Sequence, residues 1–182
     1  MSDNFISLVP RNVSKSEVSV IADKVIKWLC RQNIITDIRT DCVLGSDDGY
    51  PPGANFESVT DGNEDGLLSL QTNGLALLTE KQVFDNGSHG VEAVSCPNCG
   101  HNIIDMNWGD LINEWQNETG EDKIICQNCQ STNSIVDYKF DPAWAFGYLG
   151  FTFWNWPPFK ESFIRDFETL TGKSMVIVYG RL

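Results

Sequence analysis

Four of the six cysteines in this 182-residue chain form two pairs of identical spacing, Cys96-x2-Cys99 and Cys126-x2-Cys129, with 26 residues between the pairs. Two thiolates held two residues apart on a tight turn can both face one ion, and two such turns supply a closed tetrahedron. Four sulfur ligands with no open position suit one structural Zn2+ per chain better than iron or a redox dithiol. A redox pair would be expected to open a helix beside a βαβ unit and carry a lowered thiol pKa. Here the pairs are followed by Gly100-His101-Asn102 and Gln130-Ser131-Thr132, which are poor helix starts. His101 lies near enough to be weighed as a further ligand, but with four cysteines present a surface position beside the turn is the simpler expectation.

Gly100 directly after the first pair favours the required turn, because the backbone must fold back toward the sulfurs. Apolar Lys123-Ile124-Ile125 before the second pair and residues 134–140 after it can form the strands that hold the turn. With Pro97, Asn98 and Gly100 in the first turn, the pattern resembles the zinc-ribbon family over residues 94–140 and no further. That resemblance implies a small metal-stabilised module with Cys96, Cys99, Cys126 and Cys129 as ligands. It departs at Gln130, where a ribbon usually has Gly, and in the long interval between pairs. Trp108, Leu111, Ile112 and Trp115 recur at helical spacing within that interval, so a short helix is predicted there.

Other chemical spacings carry less. Asp61, Asn63, Asp65 and Gly66 match the opening of a calcium loop, but its twelfth position is Thr72 instead of the bidentate Glu that closes coordination. Thr171-Gly172-Lys173-Ser174 resembles the tail of a phosphate-binding loop, yet it ends a helical pattern instead of opening one. Cys30 and Cys42 read as core residues. The two histidines, His89 and His101, make no recognisable triad order, so no catalytic residue is assigned. An enzyme with a carboxylate site on the α/β part is kept as one alternative function.

The elements that must position the cysteines read as two βαβ ends. Residues 5–9 form an apolar strand stopped by Pro10. Ser14 and Glu17 have capping-box spacing before a helix with Val18, Ile21, Val25, Trp28 and Leu29 on one face. Ile34, Ile38, Cys42 and Leu44 then suggest a half-buried strand. At the other end, residues 146–154 suit an aromatic strand, and Phe159, Phe163, Phe167 and Leu170 a helix closed by Gly172, followed by a strand at residues 175–180. The expected fold is α+β: a ferredoxin-like βαβ…βαβ sandwich built from residues 1–45 and 146–182. Its long insertion carries an acidic loop and strands (residues 46–93) and the four-cysteine zinc ribbon (residues 94–140). A turn at Asn73-Gly74 can separate two strands of the insertion.

Charge narrows the partner. Against 13 Lys plus Arg stand 25 Asp plus Glu, a formal net charge of −12. Affinity for nucleic acid comes largely from cations that displace counterions, so a nucleic-acid role is the less favoured alternative despite the ribbon. Residues 41–66 carry Asp41, Asp47, Asp48, Glu57, Asp61, Glu64 and Asp65 with no Lys or Arg. Asp105, Asp110, Glu114, Glu118, Glu121 and Asp122 lie between the cysteine pairs. Such a field steers a basic protein. The expected function is non-enzymatic: a zinc-stabilised interaction protein, of the kind an immunity or inhibitor protein represents. The aromatic run from Trp144 to Phe159 packs as core over much of its length by alternation. On its remaining face Trp154 and Trp156 are expected contacts, together with Asp110, Glu114 and Glu118, since exposed aromatics at an interface centre carry much of the binding energy. No apolar run approaches the roughly 20 residues a membrane span needs, and the first residues lack the pattern of a secretory signal. A cytoplasmic location without membrane contact is therefore expected; nothing points to a particular small-molecule ligand.

Overall fold

Apolar residues in period two at the start and end of the chain pair with one another, although more than 140 residues separate them. The computed structural model describes residues 3–62, 66–87, 89–120 and 122–182. Its elements, in order, begin with β1 (Asn4–Pro10) and α1 (Val18–Arg31). The described residues before the next strand include two short 3-10 helices, Phe56–Ser58 and Leu67–Ser69, and β2 (Leu75–Leu78), β3 (Gln82–Phe84) and β4 (Ala93–Ser95) follow. Then come α2 (Gly109–Asn117), β5 (Lys123–Ile125), β6 (Thr132–Ser134), β7 (Lys139–Asp141) and β8 (Ala145–Gly147). The chain closes with β9 (Gly150–Trp154), α3 (Glu161–Thr171) and β10 (Met175–Arg181). The fold is mixed α/β, with three α-helices and antiparallel sheets among the described residues.

The main sheet has the order β10-β1-β9-β2, every neighbour antiparallel. One face takes Ile6, Leu8, Leu75, Phe151 and Phe153 into a core with Val18, Ile21, Val25 and Leu29 of α1 and Phe163 and Phe167 of α3. The helices thus lie on one side because their apolar stripes have that face to cover. Gly172 ends α3 in the left-handed region (φ 68°) and donates its N–H to the Glu168 carbonyl at 2.8 Å. The opposite face of the sheet is covered by Phe84 and Ala145, which pack on Val9 and Val178, and by Cys42 and Val43, which pack beside Trp154.

Three expectations need correction. Residues 34–44 do not form a strand; they make isolated bridges, Ile35 to Pro52 and Thr40 to Gly49. Pro51 and Pro52 have no N–H to donate, so no continuous ladder can form there. The place beside β9 is taken by β2 instead, and of the alternating set Ile34 and Cys42 are buried whereas Ile38 is 74% and Leu44 49% exposed. The Asn73-Gly74 segment is not a hairpin turn, for both its amides donate to the Cys42 carbonyl and the strands on either side of Thr79–Lys81 join different sheets. Finally, only half of the capping box forms. Glu17 accepts from the Ser14 backbone N–H at 2.8 Å, but the Ser14 hydroxyl donates to the same carboxylate at 2.7 Å, and α1 starts at Val18.

Candidate metal centre

Small hairpins position the sulfurs. β5 pairs with β6 across the second cysteine turn, β4 pairs with β7, and Ser95 bridges Asn102 across the first turn. The two turns close in the same way: Gly100 N–H to the Cys96 carbonyl and Gln130 N–H to the Cys126 carbonyl, each 2.9 Å. Both closing residues have positive φ, 74° at Gly100 and 59° at Gln130. Gln130 therefore adopts the left-handed conformation that Gly would supply at less strain.

The two turns bring Cys96, Cys99, Cys126 and Cys129 together, with all four sulfurs within 4.8 Å of one another. Cys96 Sγ lies 3.8 Å from Cys129 Sγ, and Cys99 Sγ 3.7 Å from Cys126 Sγ. A tetrahedron of metal–thiolate bonds near 2.3 Å has edges of about 3.8 Å, so the cage can hold one ion. Cys96 and Cys126 are buried and Cys99 and Cys129 exposed. His101 is exposed and outside the cluster.

Donors surround the sulfurs. The Ser131 hydroxyl stands 3.0 Å from Cys129 Sγ and 3.7 Å from Cys96 Sγ, and the Asn128 amide points to Cys99 Sγ at 3.5 Å. Burial alone would raise the Cys96 thiol, but the Asn98 and Cys99 backbone amides and Ser131 outweigh it and hold Cys96 at about 6. Cys126 receives the Cys129 amide, which lowers it, yet burial and hydrogen bonding with the Cys96 and Cys99 sulfurs push it up to about 11. Cys129 is pulled down, first by Ser131. The buried Tyr138 hydroxyl feels these sulfurs: burial first, then the charge of Cys96 and Cys126, push it up to about 12. A buried hydroxyl beside four convergent sulfurs fits an anionic cage around a cation.

A compact apolar shell supports the cage, in which Val94, Ile103, Ile112, Ile124, Ile135, Tyr138 and Phe140 are buried with Cys96 and Cys126. Helix α2 contributes Ile112, and Trp108 packs edge-on to Phe140 and Trp144. Helix α2 is tied to the connection between β2 and β3 at Lys81, whose ammonium lies 4.5 Å from the centre of the Trp115 ring and 3.1 Å from Glu118. The Tyr148 hydroxyl donates to the same carboxylate at 3.0 Å.

The expected contact residues divide differently. Trp154 and Trp156 are buried, not surface contacts. Asn155 between them is left-handed (φ 60°), which breaks the period of the strand. Trp154 then packs near Cys42, while Trp156 joins Phe56, Phe153 and Phe159 and donates its indole N–H to the Asn73 carbonyl at 2.7 Å. Glu118 is engaged by Lys81 and Tyr148, whereas Asp110 is exposed and Glu114 half-buried on α2. Asn63, Glu64 and Asp65 of the calcium-like segment lie outside the described residues. Cys30 is half-buried and Cys42 buried, and burial pushes both thiols up. His89 is exposed beside Pro142 and Tyr179. No helix is long and apolar enough to cross a membrane among the described residues.

Sequence reasoning missed one surface feature. Ile38 and Leu44 project from residues 36–48 among exposed Asp37, Asp41 and Asp47, none of which has an ion-pair partner among the described residues, while Arg39 is neutralised by Asp48 at 2.5 Å. The proline pair at residues 51–52 is the available signal that this segment could not be buried as a strand. Compared with known proteins, the chain matches no family model, no curated protein and no solved structure.

Proposed function

We propose that the protein is a non-enzymatic interaction module in which one structural Zn2+ staples a ribbon onto a ferredoxin-like α/β frame, and that it recognises a basic protein. Zinc is favoured among metals by an all-thiolate set with tetrahedral spacing and no open position. The four-strand order, with both long helices on one face, supports the ferredoxin-like reading if β2 takes the second-strand place.

The observation that carries the partner is the segment at residues 36–48. Two exposed aliphatic side chains, Ile38 and Leu44, stand among three unpaired carboxylates, Asp37, Asp41 and Asp47. Apolar contact supplies short-range affinity there, and the carboxylates select a partner rich in Lys and Arg. The net charge of −12 extends that selection over the encounter distance.

Metal analysis should return one zinc per chain. Affinity capture from the native cell should yield a basic protein that is retained by the wild type and lost by I38S/L44S, with binding weakened by salt. Equal capture by the variant would overturn the surface assignment, and tight salt-sensitive binding to DNA or RNA would overturn the protein-partner reading.

A further inference from the structure

In so acidic a chain most cations are already committed. Lys27, Arg39, Lys81, Arg165 and Lys173 sit in ion pairs, and Lys24 and Lys160 donate to the Leu170 and Ser58 carbonyls. Lys15 lies in the field of Glu118, and Arg181 is also engaged. Among the described residues, five side chains, those of Arg11, Lys15, Arg31, Lys123 and Lys139, are left without a hydrogen bond or ion pair.

Two of these five, Arg11 and Lys139, line one cleft of about 300 Å3. It lies between the main sheet, which contributes Val9 and Val176, and the metal module, which contributes Tyr138 and Phe140. Clefts at such junctions are preferred ligand sites, and this volume is at the lower end of their range. The wall beside the cations is aromatic: Phe140 and Trp144 stack with centroids 5.4 Å apart and planes within 3°, and Phe146 continues the surface. One carboxylate, Asp137, faces the cleft, so two positive charges oppose one negative.

We propose that this cleft binds a small aromatic anion, a phosphate or carboxylate head group on a flat ring. The head group pairs with Arg11 and Lys139, and the ring lies against the aromatic wall. In a chain of net charge −12, two neighbouring unpaired cations give an anion a local attraction that the rest of the surface denies it. The wall supplies the apolar contact that would keep such a ligand from exchanging freely with water. This site is independent of the acidic segment at residues 36–48 and of any protein partner.

The test is calorimetric titration of the metal-loaded full chain with phenyl phosphate and with sodium benzoate. Saturable binding at one site is expected, and the tighter of the two identifies the head group. Arg11→Gln and Lys139→Gln should each weaken it about tenfold or more, since each removes a charge-assisted contact. Lys123→Gln changes the net charge equally but lies away from the cleft, and should bind as the wild type does. Absence of saturable binding of either anion, or wild-type binding by the R11Q/K139Q double variant, would overturn the site. A loss in K123Q as large as that in R11Q would reduce it to nonspecific charge and overturn it as well. Inorganic phosphate binding as tightly as phenyl phosphate would overturn the role given to the ring.

Discussion

The α/β part and the cysteine module are built on different physical terms. The first buries 21 described residues, from Ile6 to Phe167, in one cluster between a four-stranded sheet and two helices. The second buries nine around four sulfurs, on strands of three residues each. Burial at roughly 25 cal/mol per Å2 can sustain the larger core, whereas two-stranded hairpins of that length are marginal in water unless something else holds them. The contrast teaches that an apolar core suffices for one region, whereas the other gathers its short strands around four sulfurs that could hold a metal ion.

The largest effect should therefore come from the metal. Chelation, or Cys126→Ser, should release the ion and open residues 93–141, because metal binding energy in such modules is folding energy, about 10–16 kcal/mol in isolated zinc peptides. Hydrogen exchange read by mass spectrometry should show this region unprotected while β1, β9 and β10 remain protected. If chelated protein kept full protection in β4 to β7, the distinction between the two regions would collapse.

The reverse cut is Phe167→Ala. Phe167 is fully buried against Phe151, Phe163 and Trp28, and emptying such a site costs about 3–5 kcal/mol. Urea denaturation should show that loss in the cooperative transition, with one metal per chain retained under native conditions. Metal loss in F167A would mean that the module depends on the core more than its own sulfur cage implies.

What can be read from the sequence follows the same division. The four-cysteine cage is legible because each turn is local: a few residues fix two sulfurs, and identical spacing announces a second turn. Helices α1 and α3 are legible from their apolar stripes. The sheet is only half legible, since β2 owes its place to Phe151 and Phe153 of β9, about 75 residues away, and not to any strong pattern of its own. The exposure of Ile38 and the burial of Trp154 and Trp156 escape the sequence for a shared reason. Alternation does not carry through Pro51 and Pro52 in the partner segment, nor through left-handed Asn155, where the backbone abandons it. The Lys81–Glu118 contact spans 37 residues and has no local signature.

That contact is the next way to sharpen the comparison. Lys81 is 16% exposed and stacks over Trp115 while paired with Glu118. Lys81→Met keeps the aliphatic packing and removes the charge, at a loss of about 1 kcal/mol from the cation–π contact. Faster hydrogen exchange in α2, with unchanged metal content and unchanged protection in β1, is the expected outcome. Unaltered exchange in α2 would show that the helix is held by its apolar contacts alone.

The smallest effect separates the regions by pH. Glu17 is held at about 2, below its ordinary 4.5, first by the Ser14 hydroxyl, then by the Ser14 backbone amide, then by Lys173. A carboxylate depressed in the folded state stabilises it above the unfolded pKa, and that contribution is lost as pH falls from about 4.5 toward 2. Glu17→Gln should thus be less stable than the wild type at neutral pH, with the difference shrinking over that window and vanishing near its lower end. The cysteine module has no share in this carboxylate, and its own acid sensitivity comes from protonation of thiolates that must be deprotonated to hold a metal. Metal release on acidification should consequently follow the same curve in E17Q and wild type, while the α/β unfolding curve differs between them. A shift of the metal-release curve by E17Q would show that the two regions unfold as one unit.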